Sequence, residues 1–204
     1  MRRIASRQTS TLSDYQTRGL SLLELVVSLA IILAISGMAI PAITRTLKTY
    51  QLNDAANQLA GIIKFTRFEA IRRNMPISCV NSQATAYGQA SIWADNDKDG
   101  LPGPAEKQIL LGPNATLVAA GAVPGATALA TAAGLPALTA ITPNSDAIKF
   151  DQRGAVVAVA STVYVFYVGN DSDSGGYRAV IVLPSGSVQV WTYVGGSPIW
   201  QRLS

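Results

Sequence analysis

The hydrophobic and polar positions of this 204-residue chain divide it into segments of different periodicity. Residues 20–43 are almost wholly apolar and contain one carboxylate, Glu24. At a rise of about 1.5 Å per residue, about 21 such residues span roughly 30 Å, the thickness of bilayer hydrocarbon. They are therefore predicted to form a transmembrane helix. Residues 1–19 carry four arginines against one aspartate, which predicts a cytoplasmic N-terminus with the rest of the chain outside.

Residues 44–75 continue with apolar positions at helical spacing and charged positions between them, which predicts an amphipathic helix. Pro41 precedes this part and is expected to kink or locally unwind the helix as it leaves the membrane. Pro76 is expected to end it. The apolar stripe is expected to pack on a sheet. The stripe comprises Leu47, Leu52, Ala55, Ala56, Leu59, Ile62, Ile63 and Ile71.

From residue 77 onward the periodicity changes to short runs rich in Val, Ile, Tyr and Trp, which predict strands in a head spanning residues 76–204. A turn over 183–187 is expected to join the last two strands as a hairpin. Residues 113–146 are rich in Ala, Gly, Thr and Pro, and are predicted to be a long loop or a short edge element. The expected strands are 77–82, 89–94, 108–112, 147–150, 161–169, 178–183 and 187–194.

Charge and composition limit the chemistry of the head. The overall charge is +4, but residues 77–204 hold six basic and eight acidic residues, a balance of −2. There is no histidine, and Cys79 is the one cysteine, so an intrachain disulfide is impossible. Cys79 is expected to be a core thiol. Aromatic residues of strands more often belong to the core, and of the three tryptophans Trp200, near the C-terminus, is the candidate for contact with a partner. Without a nucleophile–base–acid set or a phosphate-binding loop, the sequence predicts a protein that is not an enzyme.

One loop has the spacing of a metal site. Asp95, Asp97, Asp99, Gly100 and Glu106 fit the pattern D-x-[DN]-x-[DN]-G-x5-E, which arranges oxygen ligands around calcium. The alternative is a solvated acidic turn, because Asp, Asn and Gly are common turn formers and no helices are predicted on either side. Calcium is the one cofactor that the sequence suggests.

The junction between leader and apolar segment resembles the type III signal of type IV pilins and pseudopilins. The matching residues are a basic leader, Gly19, the apolar Leu20 and then Glu24, the fifth residue after the glycine. The resemblance implies that a prepilin peptidase cleaves between Gly19 and Leu20 and methylates the new N-terminus. The Glu24 carboxylate would then pair with the amine of a neighbouring subunit and set the register of a filament. The alternative is a plain signal-anchor helix in which Glu24 has no role.

Three further stretches resemble the GspH/FimT group, namely 55–80, 91–100 and 150–154. The resemblance implies a minor pseudopilin or minor pilin of the α+β class, with a long N-terminal helix packed on an antiparallel β-sandwich-like head (the pilin fold). It implies assembly with other pilins or pseudopilins and anchoring in the inner membrane by one helix. Three functions are compatible with it: a subunit of the type II secretion pseudopilus, a FimT-like minor pilin of a type IV pilus, and a DNA receptor.

Nucleic acid is the least favoured partner. Some FimT-like proteins bind DNA through a GRxR hairpin, and the matching residues 186–189 contain no arginine. DNA binding depends on neutralising phosphates with Lys and Arg, which a head with a charge of −2 supplies poorly.

Overall fold

The computed structural model describes residues 21–83, 89–112, 114–158, 162–170, 176–194 and 199–204. The chain divides into two compact units, one ending at Pro41 and the other beginning at Ala42. In order, the elements are α1 (Leu22–Arg73), β1 (Ile77–Ser82), β2 (Ser91–Asp95), β3 (Gln108–Leu110), β4 (Thr116–Val118), a 3₁₀ turn (Ala120–Ala122), α2 (Ala126–Ala132), β5 (Thr139–Ala140), β6 (Ile148–Phe150), β7 (Tyr164–Gly169), β8 (Arg178–Val182), β9 (Val188–Tyr193) and β10 (Trp200–Arg202).

The helix α1 ends where the proline at position 76 predicts. Asn74 has a left-handed backbone with φ of 53°, and the Met75 N–H donates to the Ala70 carbonyl at 3.2 Å. These features close the last turn and satisfy a carbonyl that the helix itself leaves unpaired. Arg72 and Arg73 lie in this last turn, where positive charge stabilises the helix dipole.

The strands form two sheets. The first has the order β3-β2-β1-β6 and is antiparallel throughout. The second has the order β10-β9-β8-β7-β4 and is also antiparallel, except that β5 pairs in parallel with β7 beside β4. The predicted hairpin between β8 and β9 is present, with the Leu183 N–H donating to the Ser187 carbonyl at 2.9 Å.

One core joins the second half of α1 to both sheets. Leu52, Leu59 and Ile63 of the helix are fully buried against apolar side chains from the two sheets. This arrangement of a long helix on antiparallel sheets confirms the predicted α+β fold class. The predicted stripe is right at its centre but too long at both ends, because Leu47 and Ile71 remain 54% and 40% exposed. The sheet residues of this core include Ile77, Cys79, Ile92, Ile148, Phe150, Phe166, Val168, Val180, Val182 and Val190.

Over 113–146 a loop or a short edge element was expected; β4 is such an edge strand, whereas the helix α2 was not expected. Apart from residue 113, which lies outside the described residues, this segment contains β4, the 3₁₀ turn, α2 and β5. Its Val123 and Leu129 are buried on the outer face of the second sheet, against Val165 and Ile181. The second sheet is therefore covered on both faces, and the Ala-rich segment is ordered by the apolar surface that it covers.

The expectation that Trp200 contacts a partner is wrong. Trp200 is 2% exposed, and its indole N–H donates to the Gly125 carbonyl at 2.8 Å. Its ring packs against Tyr193 and Tyr167, with centroid distances of 5.5 and 6.2 Å. Trp200 is buried because β10 pairs with β9, which places the indole ring in the apolar cluster beneath the segment that contains α2.

Candidate functional site

The N-terminal unit presents an apolar surface that its own chain leaves uncovered. Side chains along Leu22–Ile40 are exposed almost without exception, from 50% at Val27 to 82% at Leu22. By length and composition, α1 is long and apolar enough to cross a membrane. Pro41 lies inside the helix, and the backbone is helical on both sides of it.

Glu24 lies in the first turn of α1 and is the one charged residue of the described part of this unit. Its backbone N–H donates to the Ser21 hydroxyl at 3.3 Å, so Ser21 caps the helix. A carboxylate at a helix N-terminus is stabilised by the unpaired N–H groups there. Among the described residues nothing pairs with the Glu24 side chain. Gly19 and Leu20, the predicted cleavage site, lie outside the described residues.

The predicted calcium loop begins at Asp95, the last residue of β2. The Asp95 side chain is buried, whereas those of Asp97 and Asp99 are exposed, and one oxygen of each lies within 4.8 Å of the others. Calcium binds oxygens at about 2.3–2.6 Å, so ligands on opposite sides of one ion lie roughly 5 Å apart. The three carboxylates are therefore close enough to share one cation.

Glu106 is placed differently from the predicted fourth ligand. One of its oxygens accepts a hydrogen bond from the Asn96 N–H, and the other accepts one from the Gly103 N–H at 3.0 Å. Glu106 thus braces the two ends of the loop and does not belong to the cluster of three aspartates. Calcium binding by Asp95, Asp97, Asp99 and Glu106 stays a prediction, and Glu106 also makes backbone contacts that the sequence pattern does not reveal.

The backbone of the loop is also organised by the aspartates. Asp95 accepts a hydrogen bond from the Lys98 N–H, and Asp99 accepts one from the Leu101 N–H, both at 2.7 Å. Burial raises the pKa of Asp95, and the nearby charges of Glu106 and Asp97 raise it further. A bound cation would oppose this shift, because positive charge favours the ionised carboxylate. Asn96 Oδ1, in the same loop, is buried without a hydrogen-bond donor among the described residues.

The arginines that a DNA-binding surface would need are not all available. Arg178 is 3% exposed; its Nε donates to Asn53 Oδ1 at 2.6 Å, and Nη1 donates to the Tyr177 carbonyl at 2.9 Å. Burial lowers its pKa. Arg178 therefore holds α1 against β8 and offers no exposed guanidinium to a phosphate, whereas Arg153 and Arg202 are exposed.

The helix and the two sheets meet at a second arginine. Arg67 Nε donates to the Gly154 carbonyl at 2.9 Å, in the turn that follows β6. Asp151 shapes this turn by accepting hydrogen bonds from the N–H groups of Arg153 and Ala155, each at 2.8 Å. Gly186, in the turn between β8 and β9, lies against the same Gly154 carbonyl. The stretch 150–154 therefore connects α1 to the turn between β8 and β9, and these described residues form structural contacts.

Comparison with known proteins gives one family and two related structures. The family described as "Type II transport protein GspH" matches residues 55–186, from the second half of α1 through β8. No match was found among curated proteins. The chain is similar to two crystal structures of the type IV minor pilin FimU of Pseudomonas aeruginosa. In space group P21, identity is 16% and the TM-score 0.45, covering 69% of this chain and 88% of that chain. In space group P65, identity is 15% and the TM-score 0.43, covering 68% of this chain and 91% of that chain.

Proposed function

Because the chain belongs to the GspH family of type II transport proteins, we propose that it is a minor pseudopilin, a structural subunit of the type II secretion pseudopilus. The family match over residues 55–186 carries this proposal. Proteins of the family are structural and not enzymatic, and pilins act by assembling with other pilins. The exposed apolar surface of Leu22–Ile40 supports the proposal, because a soluble protein does not leave such a surface in water.

Deletion of the gene tests this function. Loss of secreted enzymes from the medium, restored by the wild-type gene, is the expected result. If secretion is intact and surface pili are lost, the protein is instead a FimT-like minor pilin of a type IV pilus. If neither changes and uptake of DNA is lost, the DNA-receptor class applies. Neighbouring genes for secretion components would favour the pseudopilin role, and neighbouring genes for pilus components would favour the minor pilin role.

Maturation follows from the same proposal. A prepilin peptidase cleaves after Gly19 and methylates the amine of Leu20, which removes the basic leader and leaves the apolar helix in the mature protein. Intact mass measured on protein extracted from membranes is the test. A chain that still contains residues 1–19 in cells with active peptidase contradicts this step.

In the membrane, the mature N-terminus faces the cytoplasm and the head is periplasmic or extracellular. The arginines of the leader support this orientation, because positive charge is retained on the cytoplasmic side. Alkaline phosphatase fused after Ser204 should be active, since that enzyme folds outside the cytoplasm. An inactive fusion, expressed at a normal level, contradicts the orientation.

Glu24 pairs with the N-terminal amine of a neighbouring subunit in the filament. Both charges would lie in apolar surroundings, where an ion left without its partner costs about 3–5 kcal/mol. Glu24→Ala should therefore insert more easily, by up to ~3 kcal/mol, but should be depleted from purified filaments. Ser28→Ala is the matched control, because it removes a neighbouring polar group, bonded to the Glu24 carbonyl at 2.7 Å, without removing charge. Wild-type amounts of Glu24→Ala in filaments contradict the pairing.

A further inference from the structure

Residues 43–50 of α1, at the end of its long apolar part, have a composition of their own. Residues 25–53 contain two charged side chains, and both are basic and lie in this short segment: Arg45 and Lys48. Tyr50 is the first aromatic residue in the part of the chain that the structure describes. Basic and aromatic residues beside an apolar span are typical of the interface between a membrane and water.

One side of this segment is an uncovered apolar stripe. Ile43, Leu47 and Tyr50 recur at helical spacing and are 57%, 54% and 67% exposed. Leu52, the first buried residue of α1, follows Leu47 by five positions and therefore lies about 140° around the helix from it. The core of the head is built on the side of Leu52, so the stripe stays outside that core.

The polar groups of the segment are suited to a partly apolar environment. Thr46 Oγ1 donates to the Ala42 carbonyl at 3.0 Å, and Thr49 Oγ1 donates to the Arg45 carbonyl at 3.1 Å. Hydroxyls that are bonded back to the helix in this way do not depend on water. Arg45 is exposed and Lys48 is half-buried. A long basic side chain can lay its stem on apolar surface while its charge reaches a phosphate.

The length of the helix places this segment at the membrane surface. Residues 22–43 run for about 33 Å, which spans about 30 Å of hydrocarbon with a modest tilt. The headgroup layer adds about 5–7 Å on each side. Residues 44–50 occupy the next 10 Å or about that length of helix, and helical side chains lean toward the N-terminus, here back toward the bilayer. Their side chains therefore reach the headgroup layer.

We infer that residues 43–50 are a lipid contact, in which Ile43, Leu47 and Tyr50 lie at the boundary between acyl chains and headgroups. Arg45 and Lys48 bind the phosphates of anionic lipids there. Two observations select lipid as the occupant: the stripe follows directly on an apolar surface of membrane length, and the charges beside it are both positive. The inference rests on the membrane anchoring in the proposed function, and it holds for a pseudopilin and a minor pilin alike.

The depth of the segment is tested with the full-length protein in phosphatidylcholine vesicles that contain a lipid with nickel chelated at its headgroup. A nitroxide is attached to Leu47→Cys, and its collisions with nickel are measured by electron paramagnetic resonance. The native Cys79 is buried and stays unlabelled. The matched control is Phe68→Cys, because Phe68 is 62% exposed and lies on nearly the same side of α1, about 32 Å further along. Collisions at position 68 should be at most about one tenth of those at position 47, since the headgroup layer is thin.

The choice of lipid is tested with spin-labelled phosphatidylglycerol and spin-labelled phosphatidylcholine, each added as a probe to the same vesicles. The immobilised fraction of each probe gives the preference of the protein for the anionic lipid. Arg45→Gln combined with Lys48→Gln should lower this preference at least about twofold, because one basic residue near the surface changes lipid affinity by up to about fivefold. Arg45→Gln alone, at an exposed position, should lower it by a smaller factor in the same direction.

A second pair of lysines provides the control for charge. Lys64 and Lys149 are both exposed, and Lys64 lies about 24 Å beyond Lys48 along α1, more than twice the screening length at physiological salt. Lys64→Gln combined with Lys149→Gln removes the same charge and should leave the lipid preference unchanged. The basic leader is identical in all these variants, so the differences between them report residues 45 and 48. Native tryptophan fluorescence shows that each variant is folded.

The outcomes separate this inference from the proposed function. Leu33→Cys places a nitroxide in the middle of the apolar part, where Leu33 is 64% exposed. If this nitroxide is open to a water-soluble nickel complex, the membrane anchor and the lipid contact both fail. If it is shielded, and position 47 meets headgroup nickel no more often than position 68, the lipid contact alone is overturned. Loss of collisions at position 47 as the protein-to-lipid ratio rises assigns the stripe to a second copy of the chain and also overturns it. A wild-type lipid preference in the Arg45→Gln, Lys48→Gln variant overturns the binding of anionic lipid.

Discussion

Gly186→Ala is expected to be among the most destabilising single-methyl changes in this head. Gly186 is in the turn between β8 and β9, where its N–H donates to the Leu183 carbonyl at 2.8 Å. Its φ of 78° is in the left-handed region. A Cβ at this position would lie 2.1 Å from the Gly154 carbonyl oxygen and 2.8 Å from Arg67 Nε. The nearest of these atoms is backbone, so it cannot move away as the end of a side chain would.

The magnitude has two parts. A residue other than glycine in the left-handed region costs about 1–2 kcal/mol. Inserting a methyl group into a closely packed contact typically costs about 1–3 kcal/mol more. Separating the two turns would also break the hydrogen bond between Arg67 and Gly154, through which α1 is held to the turn after β6. Together, Gly186→Ala should lower the free energy of unfolding by about 2–5 kcal/mol.

Urea unfolding of the full-length chain in detergent micelles measures this loss. Trp93, Trp191 and Trp200 are all buried in the head, so their fluorescence reports its unfolding. For an m-value of about 2 kcal/mol/M, the midpoint should fall by about 1–2.5 M. The slope should stay constant if the unfolded state is unchanged.

Two other glycines provide matched controls. Gly134 has φ of 66° but no atom within 4 Å of an added Cβ, so Gly134→Ala should cost only the backbone part, about 1–2 kcal/mol. Gly61 is inside α1 with open space around it, so Gly61→Ala should stabilise the protein by about 0.5–1 kcal/mol. If Gly186→Ala costs no more than Gly134→Ala, the close approach of the two turns plays no part in stability and the reasoning fails.

Three further predictions concern ionisable groups. Calcium at many times its Kd should raise stability by RT ln(1 + [L]/Kd), about 2.7 kcal/mol at a hundredfold excess. The gain is measured as a rise in melting temperature, and Asp97→Asn should abolish it. If the melting temperature of the wild-type protein does not change at about 1 mM calcium, only the acidic-turn interpretation remains. The hydrogen bond from Arg72, with help from Arg73, lowers the pKa of Glu69 from 4.5 to about 2. Since the folded-state pKa is the lower one, this stabilisation is present above the unfolded value of 4.5 and is lost as the pH falls toward 2. Glu69→Gln should remove that part of the pH dependence of the urea midpoint, and an unaltered profile contradicts the ion pairing. Burial raises the pKa of Cys79 to about 12, so a maleimide at pH 8 should label it only after unfolding, and rapid labelling of the native protein refutes its place in the core.

Local signals in the sequence determined the helix and most of the strands. Pro76 cannot continue a helix, and α1 ends three residues before it. The strand predicted over 77–82 has the same bounds in the structure, and the one predicted over 178–183 is shorter by one residue. These segments are specified locally, because the period of their apolar residues and the turn residues at their ends fix both the type of element and its limits.

The Ala-rich segment was decided by tertiary structure. Small residues without a clear period do not distinguish a loop from a helix, and α2 is stabilised by burying Leu129 on the second sheet. A signal for this cover was nonetheless present. β7 and β8 are nearly continuous apolar runs, and a strand with that composition is usually buried on both faces. The burial of Trp200 was likewise decided by tertiary structure, since the sequence does not show that β10 pairs with β9 in the second sheet.

The candidate sites divide in the same way. The sequence by itself determined the apolar helix with Glu24 near its start and the spacing of Asp95, Asp97 and Asp99, because both depend on neighbouring positions along the chain. Only the tertiary structure decided that Glu106 braces backbone N–H groups, and that Arg178 is buried against Asn53. Such contacts form between residues that are distant in the sequence. They are selected by the free energy of burying the whole core, and no short stretch of sequence contains that information.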